Sequence, residues 1–189
     1  MEKTAVQKLA GALKVLVTIT LVCNLVALLL VPGMSLMKGP EELLALTPYE
    51  NPLEVPLRVG IAFVLSWGWV WTAGVYEVVL ALFLLFCGIC TAVILWQGRR
   101  VLGTILTGAP FRAENGVSLR RAAVCCFLIA AAVLARVVWG LFYYGSVAPL
   151  LTYNALFVPI FILGGLLCLV MSALFRQAAE LKAENDLTI

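Results

Sequence analysis

Residues 74–96 read GVYEVVLALFLLFCGICTAVILW, a run of 23 in which Glu77 carries the only charge. An α-helix needs about 20 predominantly apolar residues to cross a ~30 Å hydrocarbon core, and this run has no polar face to turn toward water. Three further runs of the same kind flank it, at 13–31, 122–144 and 153–175. The 189-residue chain is 63% hydrophobic and 12% charged, with a mean hydropathy of +1.08; soluble domains carry about 25% charged residues. Composition therefore excludes an ordinary water-soluble domain, and four spans are too few for a stand-alone secondary transporter of the usual size. The expected fold is all-α, a single membrane domain over 1–189 forming a four-transmembrane-helix bundle.

Charge placement orients these spans. With the N-terminus inside, the cytoplasmic segments hold Lys3, Lys8, Lys14, Arg99, Arg100, Arg112, Arg120, Arg121, Arg176 and Lys182, whereas the outer segments hold only Lys38 and Arg58. The positive-inside rule then places both termini, the 97–121 loop and the 176–189 tail in the cytoplasm of a bacterial inner-membrane protein. The net charge of +3 is thus a topology signal, and no direct contact with nucleic acid is expected. The first span follows three lysines, but its apolar stretch is too long for a cleaved signal peptide and lacks a small-residue cleavage site; an uncleaved signal anchor is expected. The apolar segment 59–71 is too short to cross as a helix, and a fifth span would put the arginine-rich loop outside.

Between spans one and two lies a proline-rich outer loop, 32–73, with Pro32, Pro40, Pro48, Pro52 and Pro56. These favour turns and extended chain, with one short helix expected at 41–46. Trp67, Trp69 and Trp71 alternate at period two, which reads as a strand-like piece along the membrane surface. With Tyr76, Trp139, Phe142, Tyr143, Tyr144 and Tyr153 they form an expected aromatic belt at the outer interface. After span two, Val101, Leu102, Ile105 and Leu106 share one helical face. A separate short amphipathic helix is expected there, lying in the inner interface with its arginines toward lipid phosphates and ended by Gly108 and Pro110.

Apart from Lys14 at the inner edge of the first span, Glu77 and Arg136 are the charged residues inside the spans, and such groups are costly in lipid unless paired. Counting ~1.5 Å per residue places both toward the outer leaflet, so an ion pair joining spans two and three is expected. Cys87 and Cys90 form a Cys-x-x-Cys, with Cys125 and Cys126 on the next span. They lie in the inner half, where apolar surroundings disfavour a thiolate, and read as packing residues rather than a redox centre. The chain has no histidine, which removes the commonest metal ligand and general base. No cofactor, metal or catalytic residue is expected. Ala130, Ala131, Ala132 and Ala135, with Gly164 and Gly165, are small residues that let helices approach closely in lipid, and Pro159 is expected to kink span four.

Ala113-Glu114-Asn115-Gly116-Val117-Ser118-Leu119 repeats, with three identities, as the final Ala183-Glu184-Asn185-Asp186-Leu187-Thr188-Ile189. Two helical hairpins related by an axis along the membrane normal would explain it, as would a shared local need such as a helix-ending turn. In the tail, Arg176 and Glu180, and Lys182 and Asp186, stand at i,i+4. Leu174, Ala178 and Leu181 continue an apolar stripe from span four, and Leu187 and Ile189 alternate about Thr188 in a pattern that suits an edge strand or a groove.

The segments Pro110-Phe111-Arg112-Ala113-Glu114-Asn115, with Leu119-Arg120-Arg121, and Phe175-Arg176 through Glu184-Asn185-Asp186-Leu187-Thr188-Ile189 resemble the two signatures of a bacterial four-span membrane protein family. It is the domain-of-unknown-function family two-nine-seven-five, whose members end in a similar Glu-Asn-Asp-Leu-Thr-Val tail. Gly116 departs from the family, where an apolar residue more often follows the Asn. The resemblance implies a non-enzymatic membrane partner that sequesters, anchors or regulates a small cytosolic helix-turn-helix protein. The expected contact comprises Phe111, Glu114, Asn115, Arg120, Arg121, Phe175, Arg176, Glu180, Glu184, Asn185, Asp186, Leu187 and Ile189. A small transporter or channel subunit acting as an oligomer around Glu77 and Arg136 is the alternative, and a membrane thiol oxidoreductase the third reading.

Overall fold

A computed structural model of the chain describes residues 5–36, 54–109 and 111–186. The expected helix at 41–46, most of the outer-loop prolines, Pro110, Leu187 and Ile189 lie outside these residues. Five α-helices are described: α1 (Ala5–Leu36), α2 (Glu54–Trp69), α3 (Val75–Leu106), α4 (Ala113–Tyr144) and α5 (Tyr153–Asp186). One-turn 3-10 helices occupy Val70–Thr72 and Ala148–Leu151.

Four of the five are long and apolar enough to cross a membrane: α1 over Ala5–Gly33, all of α3 and α4, and α5 over Tyr153–Asn185. The fifth, α2, has 16 residues, about 24 Å of helix, less than the ~30 Å core. The exposed faces are apolar: Val15, Leu16, Ile19, Val22, Val138, Phe142, Leu163 and Leu167 all point outward. Water would not tolerate that surface, whereas hydrocarbon does. The fold is that of a multi-pass helical membrane protein.

Three sequence expectations are corrected. Trp67 and Trp69 belong to α2, and Trp71 to the 3-10 turn that follows it, so this segment is not strand-like. An isolated strand leaves its backbone N–H and C=O groups unpaired, a cost a helix avoids near lipid, and this outweighs the period-two pattern. Residues 99–106 are not a separate interfacial helix but the last two turns of α3, because nothing between Trp96 and Leu106 interrupts the hydrogen-bond ladder. The break comes at Gly108, whose φ of +73° is the left-handed conformation that glycine adopts without a Cβ clash. Lastly, the prolines do not all break helices: Pro32 lies inside α1, and Pro56 sits in the first turn of α2, where a missing N–H costs nothing.

The helices outrun the apolar runs from which they were read. α5 has 34 residues, about 51 Å, so its C-terminal turns carry the tail beyond any ~30 Å core as a continuation of the span.

The chain divides into two compact units. One comprises Met1–Asn24 with Ile89–Ile189, the other Leu25–Gly88. In the second unit, Val31, Val70 and Ala81 form a small core, with Leu84 and Leu85 packed against it. Pro32, fully buried, supplies no N–H to the Leu28 carbonyl four residues before it. The Trp67 indole Nε1–H donates to the Leu29 carbonyl oxygen at 3.0 Å, tying α2 to α1.

In the first unit α4 and α5 pack along their length. The buried positions of α4 include Ser118, Ala122, Cys126, Ile129, Val133, Val137 and Gly140, a three-and-four spacing of mainly small or β-branched residues that lets a second helix approach closely. A Cβ at Gly165 would stand 2.9 Å from the Phe127 ring, and one at Gly140 would stand 3.2 Å from Pro149 Cγ. At Gly164 there is open space, so only one of the two neighbouring glycines is a packing requirement. α4 ends at Gly145, with φ of +60° and its N–H bonded to the Leu141 carbonyl, and the turn at Ala148–Leu151 leads back into α5.

Candidate functional site at the helix ends

The two segments singled out in the sequence meet. α4 opens with Arg112 in extended conformation as its first flanking residue, and the Asn115 N–H returns to the Arg112 carbonyl at 3.0 Å. The Asn115 side chain is 1% exposed, and its Nδ2 donates to Thr104 Oγ1 at 2.7 Å. Thr104 Oγ1–H in turn donates to the Val101 carbonyl at 2.7 Å. A buried amide is stable only when paired, and this chain of donors fixes the angle at which α3 passes into α4. Arg100 faces Glu114 at 3.6 Å across the same junction, both more than half exposed. Such a pair adds little stability, though Glu114 is well placed in the first turn of α4, where the helix dipole favours an anion.

From the other side α5 closes on the start of α4. Ser172 Oγ–H, buried, donates to the Gly116 carbonyl at 2.6 Å. A Cβ at Gly116 would meet Arg176 Cγ at 2.7 Å and the Ser172 backbone oxygen at 3.0 Å, so glycine at this position is a matter of close approach. Phe111 and Phe175 face each other with ring centroids 6.5 Å apart and planes at 42°, within the range of favourable aromatic pairs.

Of the residues expected to contact a partner, the structure therefore turns Asn115 inward, half-buries Phe175, and leaves Phe111, Glu114, Arg120, Arg121, Arg176, Glu180, Glu184 and Asn185 exposed. Asp186 is the last residue of α5. Phe111 meets Phe175 and Arg176 lies against Gly116, whereas Asn115 turns to Thr104 of α3 and Glu180 to Asp186 continue along α5. The repeated heptapeptide occupies unlike settings, its first copy opening α4 and the described part of its second closing α5, so a shared helix-ending turn does not account for it.

Glu77 and Arg136 belong to different units. Glu77 lies in the first turn of α3, with its Oε2 over Gly74, a position in which the helix dipole favours a carboxylate. Arg136 is half-buried on α4. All six cysteines are reduced. Cys90 of α3 hydrogen-bonds to Cys125 of α4, and Cys126 of α4 to Cys168 of α5; the contacts run between helices. Among the described residues no group of three or more acidic, cysteine or histidine side chains could hold a metal.

Thr104 and Ser172 escaped sequence reading, since isolated hydroxyls in apolar helices are common and only the tertiary contact distinguishes these two. The signal that existed was their spacing from the recognisable segments: eleven residues before Asn115 and four before Arg176.

A helical membrane protein whose distinctive residues collect at one set of helix ends is the class that this fold and site define. Residues 46–189 match the family described as "Protein of unknown function (DUF2975)", and the chain belongs to it. No curated protein and no solved structure matches the chain.

Proposed function

We propose that this is a non-enzymatic protein of the bacterial inner membrane, with both termini in the cytoplasm, acting as a regulatory or scaffolding partner of a small cytosolic helix-turn-helix protein. The observation that supports this reading is the meeting of the two signature segments, where the Phe111 and Phe175 rings stand 6.5 Å apart beside a bond between their flanking residues. Ser172 and Gly116, 56 positions apart, are hydrogen-bonded, and around that bond Glu114, Arg120, Arg121 and Arg176 remain exposed. Helix ends braced from within, with charges of both signs left outward, offer a rigid surface whose complementarity can select one partner. The helical continuation of α5 through Asp186 adds an exposed rod along which Glu180 and Glu184 follow Arg176.

An affinity pull-down on detergent-purified full-length protein, against a version lacking residues 177–189, tests the proposal. Retention of a small DNA-binding protein by the full chain alone supports it. If neither form retains one while the protein mediates solute flux in liposomes that is lost in Glu77→Gln, the transport reading replaces it.

A further inference from the structure

We propose that the cleft between α1 and α3 lined by Lys14, Trp96, Arg99, Arg100 and Gly103 binds the phosphate group of an anionic lipid. The cleft encloses about 410 Å³, within the ~300–1,000 Å³ of small-molecule sites. It is built from both helices. Gly103 presents bare backbone to α1, and Lys14 Nζ lies 3.6 Å from where a Cβ at that position would stand. The Arg99 guanidinium carbon sits 5.9 Å from the centre of the Trp96 ring, which holds that side chain by a cation–π contact.

Depth in the bilayer points to a lipid as the source of the phosphate. In α1 no charge follows Lys14 until the helix ends, and in α3 none lies between Glu77 and Arg99. Lys14 and Arg99 are thus the last charges before an apolar run, with Arg100 next to Arg99, which puts all three at the level of the headgroups, and Trp96 is exposed beside them as interfacial indoles are. Three cations converge on one space, and among the described residues the one ion pair reaching into it is Arg100 with Glu114. Their mutual repulsion, in surroundings less polar than water, is relieved by an anion entering between them. A phosphate offers oxygens that two guanidinium groups can each grip with paired donors while Lys14 supplies a point charge. Basic clefts between membrane helices at the interface favour anionic headgroups for this reason. The inference stands apart from the regulatory reading, sharing none of its contacts except Glu114.

Native mass spectrometry of the delipidated full-length protein, titrated with phosphatidylglycerol, phosphatidylcholine or inorganic phosphate, tests it. The expected result is retention of about one phosphatidylglycerol per chain in preference to phosphatidylcholine, weakened about five-fold for each cation neutralised in Lys14→Gln, Arg99→Gln and Arg100→Gln. The Arg99→Lys, Arg100→Lys double variant keeps the charge but loses the paired donors, so it should bind the lipid more weakly than the unaltered protein and more tightly than the Arg99→Gln, Arg100→Gln double variant, an ordering that misfolding would not produce. Removing equal charge elsewhere, with Arg112→Gln and Lys182→Gln, should leave retention unchanged. Equal weakening by both sets of neutral variants would overturn the site, and inorganic phosphate bound alone with the same cation dependence would overturn the lipid as its source.

Discussion

Asn115 is the residue on which the candidate site turns. Its amide is buried and spends a donor on Thr104, so Asn115→Ala removes the bond and leaves a small void. A loss of about 1–3 kcal/mol is expected, read as a lower melting temperature of the detergent-solubilised protein. The reverse arrangement holds at the paired glycines of α5. Gly165→Ala would press a methyl group into the Phe127 ring, 2.9 Å away, whereas Gly164→Ala enters open space. The first substitution should cost about 1–3 kcal/mol and the second less than about 0.5 kcal/mol. Equal effects in the same melting assay would mean that α4 and α5 do not meet at this register.

At the scale of elements, what matters is how helices are joined where the chain cannot rely on water. The Trp67 indole donates to the Leu29 carbonyl in the turn of α1 that precedes Pro32. Trp67→Phe keeps most of the ring's apolar bulk and deletes the donor, so it should cost about 1 kcal/mol. Faster amide hydrogen exchange in α2 would register that loss, while α4 and α5 should exchange as before. The continuity of α3 through Arg99 and Arg100 has a related consequence: charged side chains at the interface are presented on a helix already anchored by its span.

For the whole molecule, four long apolar helices give an even number of crossings when each one spans, and the positive-inside rule then predicts cytoplasmic ends. Alkaline phosphatase fused after Glu50 should be active in the periplasm, while fusions after Ala109 or Ile189 should be inactive. Activity at both Glu50 and Ala109 would mean that α2 crosses as a fifth span, and activity at Ala109 without Glu50 that the chain is inverted; either would overturn the proposed cytoplasmic placement of the helix-end site.

Much of this architecture lies in the sequence because a bilayer makes a simple demand: an apolar run of sufficient length must be a helix, and the runs at 13–31, 74–96, 122–144 and 153–175 each became the apolar part of one. The segments around Phe111 and Arg176 were likewise legible as distinctive. Sequence periodicity failed where local pattern competed with backbone hydrogen bonding, as at Trp67, Trp69 and Trp71, and at helix ends, where no residue type marks how far a helix continues into water. Only the tertiary structure decided that Asn115 faces inward to Thr104, that Ser172 bonds to the Gly116 carbonyl, and that Lys14 shares a cleft with Arg99 and Arg100. Membrane insertion depends on composition summed along one segment, whereas these contacts depend on which faces of separate helices come together, a choice made by packing between residues far apart in the chain.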